Sequence, residues 1–533
     1  MKIKHFLAFA LAVTLSLAFF AGCGNTPSPI DPKKTQLYVG VYNGGLGYEW
    51  MQEAGKKFET ICGETSFEDG KNGVQVMLVP KKLQYEPGTL LPSLQTGIET
   101  SDLYFTASST SAAWQYLDGG VTADIAPYLT EKVYTAAGVY GGNEKSLLDR
   151  LIPEYKNLYK YTAQGGGDAY YGIPFEDTIT GFIYDHDLFM ERGYTVPETF
   201  QDFKNLFGDM VNDNITPFTY TGANSFYAIP LTTAVAAQVD GVAQSDLNVT
   251  YSGTLTSAVS PSNNGVEITP ENGYLLADQK GKLTALEFLK FLVSDSRFYT
   301  QATFGQSQSH MDAQREFVYS KKVGSKRVAM IIEGEWWENE AREFFTEMET
   351  QYRDPNLGYG KRDFRYMPLP AFEDQASEKS VFSGFGLGTI AFMNKNSVKK
   401  DLAGKFLQYV YSQEGASIFT TKTGEQLAVD YSLTSGQLSS MTKFAQDLWQ
   451  VKRGGDAIIY RPVNFSGYAK FGTLKMGGAG GELISTIGTT TYREALASFY
   501  QSSGLTVQAY FNGMKDYYTP GAWKTSYDDF MSL

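Results

Sequence analysis

The 533-residue chain is poor in cysteine and histidine, with two cysteines and three histidines. So few cysteines exclude a disulfide-rich scaffold and any metal site built from cysteine alone. The chain also contains no His-Glu-x-x-His, Cys-x-x-Cys, Gly-x-Ser-x-Gly or Gly-x-x-x-x-Gly-Lys-Ser/Thr sequence. These absences argue against the common zinc peptidases, thiol redox enzymes, serine hydrolases and phosphate-loop nucleotide hydrolases.

Positive charge is scarce as well, since 45 lysines and arginines face 58 aspartates and glutamates and leave a net charge of −13. Nucleic-acid binding requires a positive surface, so we expect no nucleic-acid partner. The hydrophobic fraction of 42% and the charged fraction of 19% fit a globular protein rather than a disordered or polytopic membrane protein. Aromatic residues are abundant, at 14% of the chain, and serve both large cores and sugar-binding clefts.

The N-terminal residues have the pattern of a secretion signal. Two lysines precede an apolar run over residues 6–20 that is too short for a membrane-spanning helix. Residues 20–23 (Phe-Ala-Gly-Cys) resemble a bacterial lipobox, in which Cys23 is lipidated; an ordinary signal cleavage site is the alternative. We therefore expect a signal peptide at residues 1–22 and a proline-rich flexible tether at 23–36. This arrangement predicts a protein anchored by lipid at the extracytoplasmic face of the bacterial cell membrane.

Strand patterns and helical patterns alternate along most of the chain. Short apolar runs predict strands at residues 37–41, 74–79, 102–106 and 328–332. Apolar faces or capping boxes predict helices at Trp50–Ile61, Leu90–Ile98, after Thr199, after Thr284 and at Leu402–Val410. The polar residues 240–273 predict a surface insertion. The whole pattern predicts a large α/β protein with mainly parallel sheets and at least two lobes.

Five ordered segments resemble the extracellular solute-binding proteins of carbohydrate ABC transporters, the maltose-binding-protein-like group. The segments are residues 47–59 (GYEWMQEAGKKFE), 101–105 with 119–129, 171–175 with 183–189 and 197–200, 327–337 (RVAMIIEGEWW), and 396–397 with 403–409. The sequence departs from the family pattern at Asp185-His186, where Asn-Lys is usual, and at Phe200, where Trp is usual. The resemblance implies a two-lobed periplasmic-binding-protein-like fold (type II), in which each lobe is a β-sheet flanked by helices.

The resemblance also implies where the chain divides. Lobe 1 would comprise residues 37–179 with a return segment at 375–430. Lobe 2 would comprise residues 180–374 and be completed by 431–533. Hinge crossings near residues 174–181, 367–383 and 430 would join the lobes, which close on the ligand by hinge motion.

Ligand would bind between the lobes, with no catalytic residue, cofactor or metal. Trp336, in a Gly-x-Trp pattern, is the expected stacking platform for a sugar, because the C–H faces of sugars pack on aromatic rings. Its neighbour Trp337 is either a second cleft residue or a core residue. The other expected ligand contacts are Tyr42, Asn43, Ser108, Ser109, Glu176, Asp177, Thr178, Asn464 and Tyr468, with helix capping open for the serines and a core position open for Asn464 and Tyr468.

The implied function is a monomeric receptor that captures a sugar or oligosaccharide and delivers it to the permease subunits of an ABC transporter. The membrane would be contacted only through the lipid anchor. An oligopeptide-binding receptor is one alternative, since such receptors suit chains of this length. A secreted glycoside hydrolase is the enzyme alternative, with acidic pairs such as Glu176/Asp177 and Glu333/Glu335 as candidate carboxylates. Neighbouring residues in a strand point to opposite faces, which weakens the case for such pairs.

Overall fold

The computed structural model describes residues 29–107, 115–117, 119–134, 144–162, 166–322, 326–384, 389–462 and 483–531. The signal peptide, Cys23 and the first part of the tether lie outside these residues, as do Ser108, Ser109, Asn464 and Tyr468. Within the described ranges, no helix has both the length and the apolar character needed to cross a bilayer.

The strands β1 to β19 follow one another in chain order. They are Thr35–Tyr42, Val74–Lys81, Leu103–Ala107, Lys132–Tyr134, Lys145–Ser146, Lys160–Thr162, Asp168–Tyr170, Ile173–Pro174, Thr180–Asp185, Thr216–Thr219, Gly253–Thr254, Glu267–Ile268, Val328–Gly334, Phe364–Tyr366, Ser380–Ser383, Thr389–Met393, Ala457–Tyr460, Ser485–Ile487 and Thr490–Tyr492.

The α-helices of the described residues, α1 to α20, are Glu49–Cys62, Pro87–Gln95, Ala126–Thr130, Leu147–Arg150, His186–Arg192, Phe200–Asn212, Ile229–Asp240, Val242–Ser245, Leu247–Thr250, Lys280–Leu292, His310–Tyr319, Trp337–Glu340, Arg342–Tyr352, Lys400–Val410, Gln413–Thr423, Ser435–Ser440, Lys443–Arg453, Ala495–Gln501, Val507–Tyr517 and Pro520–Met531. Short 3₁₀ helices occur at Leu83–Tyr85, Pro153–Tyr155, Gly222–Ala228, Pro261–Asn263, Gly273–Asp278 and Pro355–Leu357.

The first lobe is built on a sheet with the strand order β2-β1-β3-β16-β8. β1 runs parallel to β2 and β3, whereas β16 runs antiparallel to β3 and β8, so the sheet is mixed. Helix α1 covers one face with Trp50, Ala54 and Phe58, as its apolar spacing predicts. Ile61, which we expected on the same face, is 47% exposed, because Cys62 takes the inward position four residues after Phe58.

The second lobe is built on a sheet with the order β10-β13-β9-β15-β17, and β14 pairs with β9 on the side of this path. Every residue of β13 is buried, as expected for a strand covered by helices on both faces. β13 runs parallel to β10 and antiparallel to β9, so this sheet is mixed too. The predicted α/β class and its two sheets flanked by helices are confirmed, but the expectation of mainly parallel sheets is wrong.

Local signals were correct in some places and overridden in others. Thr199 forms the predicted capping box with Asp202 at the start of α6. The signal at Thr284 is misleading, because α10 begins earlier, at Lys280. The stretch 240–273 is not a surface insertion, since several of its apolar side chains belong to the core of the second lobe: Leu247, Tyr251, Leu255, Val259 and Ile268.

Two crossings between the lobes lie side by side. The residues between β8 and β9 run antiparallel to the segment that follows α15. The Asp177 amide donates to the Gln426 carbonyl at 3.0 Å, and the Ala428 amide donates to the Phe175 carbonyl at 3.0 Å. These bonds hold the two crossing segments together.

Candidate ligand-binding site

The side chain of Trp336 folds back over the end of β13. A Cβ built on Gly334 would lie closer than 3.0 Å to three atoms of the Trp336 ring. Only glycine fits beneath the ring, which gives the Gly-x-Trp pattern a steric reason. The ring itself is half-buried, so one part of it remains open to a bound molecule.

Two further rings extend the aromatic surface from Trp336. The Tyr227 ring meets Trp336 edge-on, with centroids 5.9 Å apart and planes at 77°. The His310 ring lies nearly parallel to Tyr227, at 6.5 Å and 10°. His310 is held as the first residue of α11, whose N-cap Ser309 forms a capping box with Asp312. We call this group of three rings the Trp336 wall.

Carboxylate and amide groups stand beside this wall. Gln314 Nε2 donates to Glu340 Oε2 at 2.8 Å, and His310 Nε2 lies 3.5 Å from Glu340 Oε1. Burial would raise the pKa of Glu340, but the hydrogen bonds from His310 and Gln314 bring that pKa below its usual value. Glu333 is fully buried, and its burial together with the Glu340 charge raises the pKa of Glu333 well above the usual range.

The loop after β1 brings the first lobe to the same place. A Cβ on Gly45 would lie 3.2 Å from Glu340 Oε1, so the loop approaches the second lobe closely. Burial raises the pKa of Tyr42, and the nearby carboxylates of Glu86, Glu340 and Glu176 raise it further. Tyr42 in turn contributes to the raised pKa of Tyr227. The structure therefore brings the predicted residues Tyr42 and Trp336 to the surroundings of Glu340.

The remaining predicted residues of the first lobe and the crossing lie around this cleft. Asn43 follows β1, and its amide donates to the Lys81 carbonyl at 2.8 Å. Glu176 is buried in the first crossing and forms a β-bridge with Leu427. Thr178 is buried next to it, and its carbonyl oxygen lies so close to Gly384 that no Cβ would fit there.

Asp177 faces a different environment. Arg461 donates to both of its carboxylate oxygens, at 2.7 and 2.8 Å, and Tyr155 Oη donates at 2.9 Å. Burial would raise the pKa of Asp177, but Lys452 and Arg461 lower it far more, so the net pKa lies well below the usual range. These bonds engage the carboxylate and tie the first crossing to β17 and α17.

Glu335 lies next to this ion pair. Lys452 Nζ donates to its two oxygens at 3.2 and 3.1 Å, and the Ile179 amide donates at 3.1 Å. Burial raises the pKa of Glu335 to about 7, although Lys452 lowers it. These bonds hold the side chain of Glu335 against the first crossing and α17.

A sequence profile described as bacterial extracellular solute-binding protein matches residues 56–445. The chain belongs to the bacterial extracellular solute-binding protein family. This family consists of binding proteins rather than enzymes. No curated protein sequence matches the chain.

Solved structures of other solute-binding proteins share the fold of this one. RafE in complex with raffinose aligns with a TM-score of 0.52 at 14% identity, over 91% of this chain and 100% of RafE. A structure described for xylan utilization by the thermophilic bacterium Caldanaerobius polysaccharolyticus gives 0.57 at 16%, over 90% and 99%. The maltotriose-binding protein of Thermus thermophilus, with maltotriose bound, gives 0.53 at 14%, over 92% and 99%. The two-lobed fold of this solute-binding protein therefore agrees with the resemblance in its sequence.

Trp337 is a core residue in this solute-binding protein, which is one of the two alternatives that the sequence left open. Trp337 has no exposed surface and packs against a cluster of phenylalanine rings: Phe317, Phe345, Phe364 and Phe444. The ligand contacts of Ser108, Ser109, Asn464 and Tyr468 stay predictions, since these residues lie outside the described ranges.

Sequence reasoning missed several residues of the cleft in this solute-binding protein. Glu340 had a usable signal, because it follows Trp336 by four residues, the spacing that places two side chains on one helix face. Tyr227, His310 and Gln314 come from distant segments and carry no motif. Among the residues described, no group of three or more His, Cys, Asp and Glu side chains is arranged to hold a metal ion.

Proposed function

We propose that this solute-binding protein captures a sugar or oligosaccharide between its two lobes. The observation that carries the proposal is the wall formed by Trp336, Tyr227 and His310 beside the carboxylate of Glu340. Aromatic rings pack on the C–H faces of sugars, while carboxylates accept strong hydrogen bonds from hydroxyl groups. The structural relatives described with raffinose, maltotriose and xylan utilization support the same ligand class.

The proposed contact residues are the predicted ones that line this space. Tyr42, Asn43, Glu176 and Thr178 would contribute from the first lobe and the crossing, and Trp336 from the second lobe. Asp177 would act indirectly, by holding the crossing through Arg461. No turnover of the sugar is expected, because the proposed role requires only binding and release.

We further propose the mode of anchoring and delivery that the sequence predicts. Cys23 would carry the lipid, and residues 23–36 would tether the lobes at the extracytoplasmic face of the cell membrane. The protein would work as a monomer, without nucleic acid, and pass its sugar to ABC permease subunits. The extracellular description of the family supports this location.

The proposed lobes keep the predicted division with one adjustment. Lobe 1 would comprise residues 37–179 with a return segment at 384–430, and lobe 2 residues 180–383, completed by 431–533. Because Ser380–Ser383 pairs with β9 and β17 of the second sheet, the pairing supports a return to lobe 1 that begins after Ser383 rather than at residue 375.

A thermal-shift screen of mono- and oligosaccharides tests the ligand class. A sugar present at about 100 times its dissociation constant should stabilise the folded protein by about 2.7 kcal/mol. Oligopeptides serve as the comparison set, and chromatography after long incubation reports any hydrolysis. A melting point that rises with peptides but with no sugar would refute the carbohydrate proposal, and accumulation of cleaved sugar would refute the absence of turnover.

A further inference from the structure

Glu425 is a buried carboxylate to which the described residues offer no hydrogen bond. It follows α15 and lies in the crossing segment whose next residues pair with the first crossing, and its side chain has no exposed surface. In the described part of the chain, neither of its carboxylate oxygens has a hydrogen-bond partner. Burial of an unpaired polar group is costly, so such a group in a cleft points to a donor that arrives with a bound molecule.

The charges that face Glu425 come from several elements. Glu176 from the first crossing, and Glu335 and Glu340 from the second lobe, raise the pKa of Glu425 beyond what burial does, whereas Lys452 of α17 lowers it. Lys452 is already engaged, since its ammonium contacts both oxygens of Glu335 and the carbonyl and carboxylate of Asp177. The carboxyl of Glu425 is therefore left without a cation of its own, and its raised pKa favours the neutral form until a positive charge arrives.

Glu425 lies beside the residues that carry the Trp336 wall. Asn339, the neighbour of Glu340 in α12, donates to the Thr423 carbonyl, two residues before Glu425. Leu427, two residues after Glu425, forms a β-bridge with Glu176. In addition, the Oε1 atom of the buried Gln314 accepts no hydrogen bond from any described residue, and Gln314 Nε2 is bonded to Glu340. The cleft thus offers acceptors and negative charge to whatever it binds.

We propose that the sugar bound by this cleft carries a positively charged amine, which lies against the carboxylate of Glu425. The inference rests on the proposed function and narrows its ligand class. An ammonium group supplies three donors and one positive charge, whereas a hydroxyl group supplies one donor and no charge. The amine matches the unpaired, buried and negatively surrounded carboxylate on both counts, and the sugar ring would stack on the Trp336 wall.

Matched sugars provide the test. A panel of mono- and oligosaccharides is measured by calorimetry in three forms that differ at one carbon: hydroxyl, amine and N-acetylated amine, as in glucose, glucosamine and N-acetylglucosamine and their trimers. The amine form of the best ligand should bind about tenfold or more tightly than its hydroxyl and N-acetylated forms. This comparison uses the unaltered protein, so it does not depend on the folding of any variant.

A pair of variants then assigns the preference to Glu425. E425Q should weaken the amine form by about tenfold and the hydroxyl form by less than about threefold. The control D240N removes another buried carboxylate, which accepts the Gly281 amide inside the second lobe, and should leave the amine preference unchanged. A hydroxyl form that binds as tightly as the amine form overturns the inference but leaves the sugar receptor intact. If no form of any sugar binds, the proposed function fails and the inference fails with it.

Discussion

The indole ring of Trp336 lies directly against the backbone of Gly334, two residues earlier, with no space for a Cβ between them. Gly334 does not have a left-handed backbone, so the close approach alone requires glycine here. The pair sets the tilt of the ring at the end of a fully buried strand. The position and tilt of the proposed stacking surface thus depend on the absence of a Cβ at Gly334.

G334A should displace the Trp336 ring and reduce the affinity for the identified sugar by about tenfold. It should also lower the free energy of unfolding by about 1–3 kcal/mol, because the added Cβ overpacks the site. Calorimetry and urea denaturation measure the two quantities.

G208A is the matched control, because a Cβ at Gly208 of α6 meets no atom within 4 Å. It should stabilise the helix by about 0.5–1 kcal/mol and keep full affinity. Unchanged affinity in G334A would contradict the steric argument.

The sequence predicted the elements whose signals are local, and it failed where distant residues intervene. The apolar runs of β1, β2, β3 and β13 and the spacing in α1 carried their own information. Helix α10 is different, because the carboxylate of Asp240, at the end of α7, accepts the Gly281 amide at 2.7 Å. That tertiary bond satisfies the helix start, so the local capping signal at Thr284 has no effect.

In the candidate site too, local patterns could be predicted from the sequence and contacts between distant residues could not. Trp336 could be predicted because Gly334 lies two residues away and the pattern is visible in the chain. Tyr227 meets Trp336, and His310 meets Tyr227, only through the packing of separate segments, and no spacing in the sequence predicts these contacts. Asp177 lies between β8 and β9, but its partner Arg461 is far along the chain, so its ion pair could not be foreseen.

The adjacent tryptophans should separate binding from stability. W336A should weaken sugar binding by about tenfold or more, because the half-buried ring is the proposed platform. W337A should instead lower the unfolding free energy by about 3–5 kcal/mol, because this ring fills the core beside Phe364. Urea denaturation and calorimetry on both variants provide the comparison. A W337A protein of normal stability that has lost sugar affinity would reverse the two assignments.

D177N should strongly destabilise the hinge. It leaves Arg461 without the carboxylate that it bonds at both oxygens, while Lys452 keeps only Glu335. Removal of one partner from a buried ion pair costs about 3–5 kcal/mol. Because the folded-state pKa of Asp177 is lowered, its contribution is present above the pKa of the unfolded chain, near pH 4, and is lost as the pH falls further. Urea denaturation from pH 7 to pH 3 should show the gap to the unaltered protein shrinking below about pH 4.

The control for this prediction is D430N in the neighbouring crossing segment. The side chain of Asp430 is 81% exposed, and its contact with Arg453 is 3.9 Å long. An exposed ion pair of this kind contributes at most about 0.5 kcal/mol. Equal losses of stability in D177N and D430N would show that burial does not decide the strength of the Asp177 pairs.

Asp240 should make stability depend on pH in the opposite direction. Burial raises its pKa from 3.8 to about 7, although the Gly281 amide and Lys282 lower it. The folded state therefore holds a proton that the unfolded chain has lost, and the unfolding free energy should fall as the pH rises from about 4 to 7. The D240N variant has no carboxyl group at this position, so it neither holds nor loses this proton. It should match the unaltered protein near pH 4 and exceed its stability by roughly 2–4 kcal/mol at pH 8, as measured by urea denaturation. A gap that is the same at both pH values would mean that Asp240 titrates normally in the folded protein.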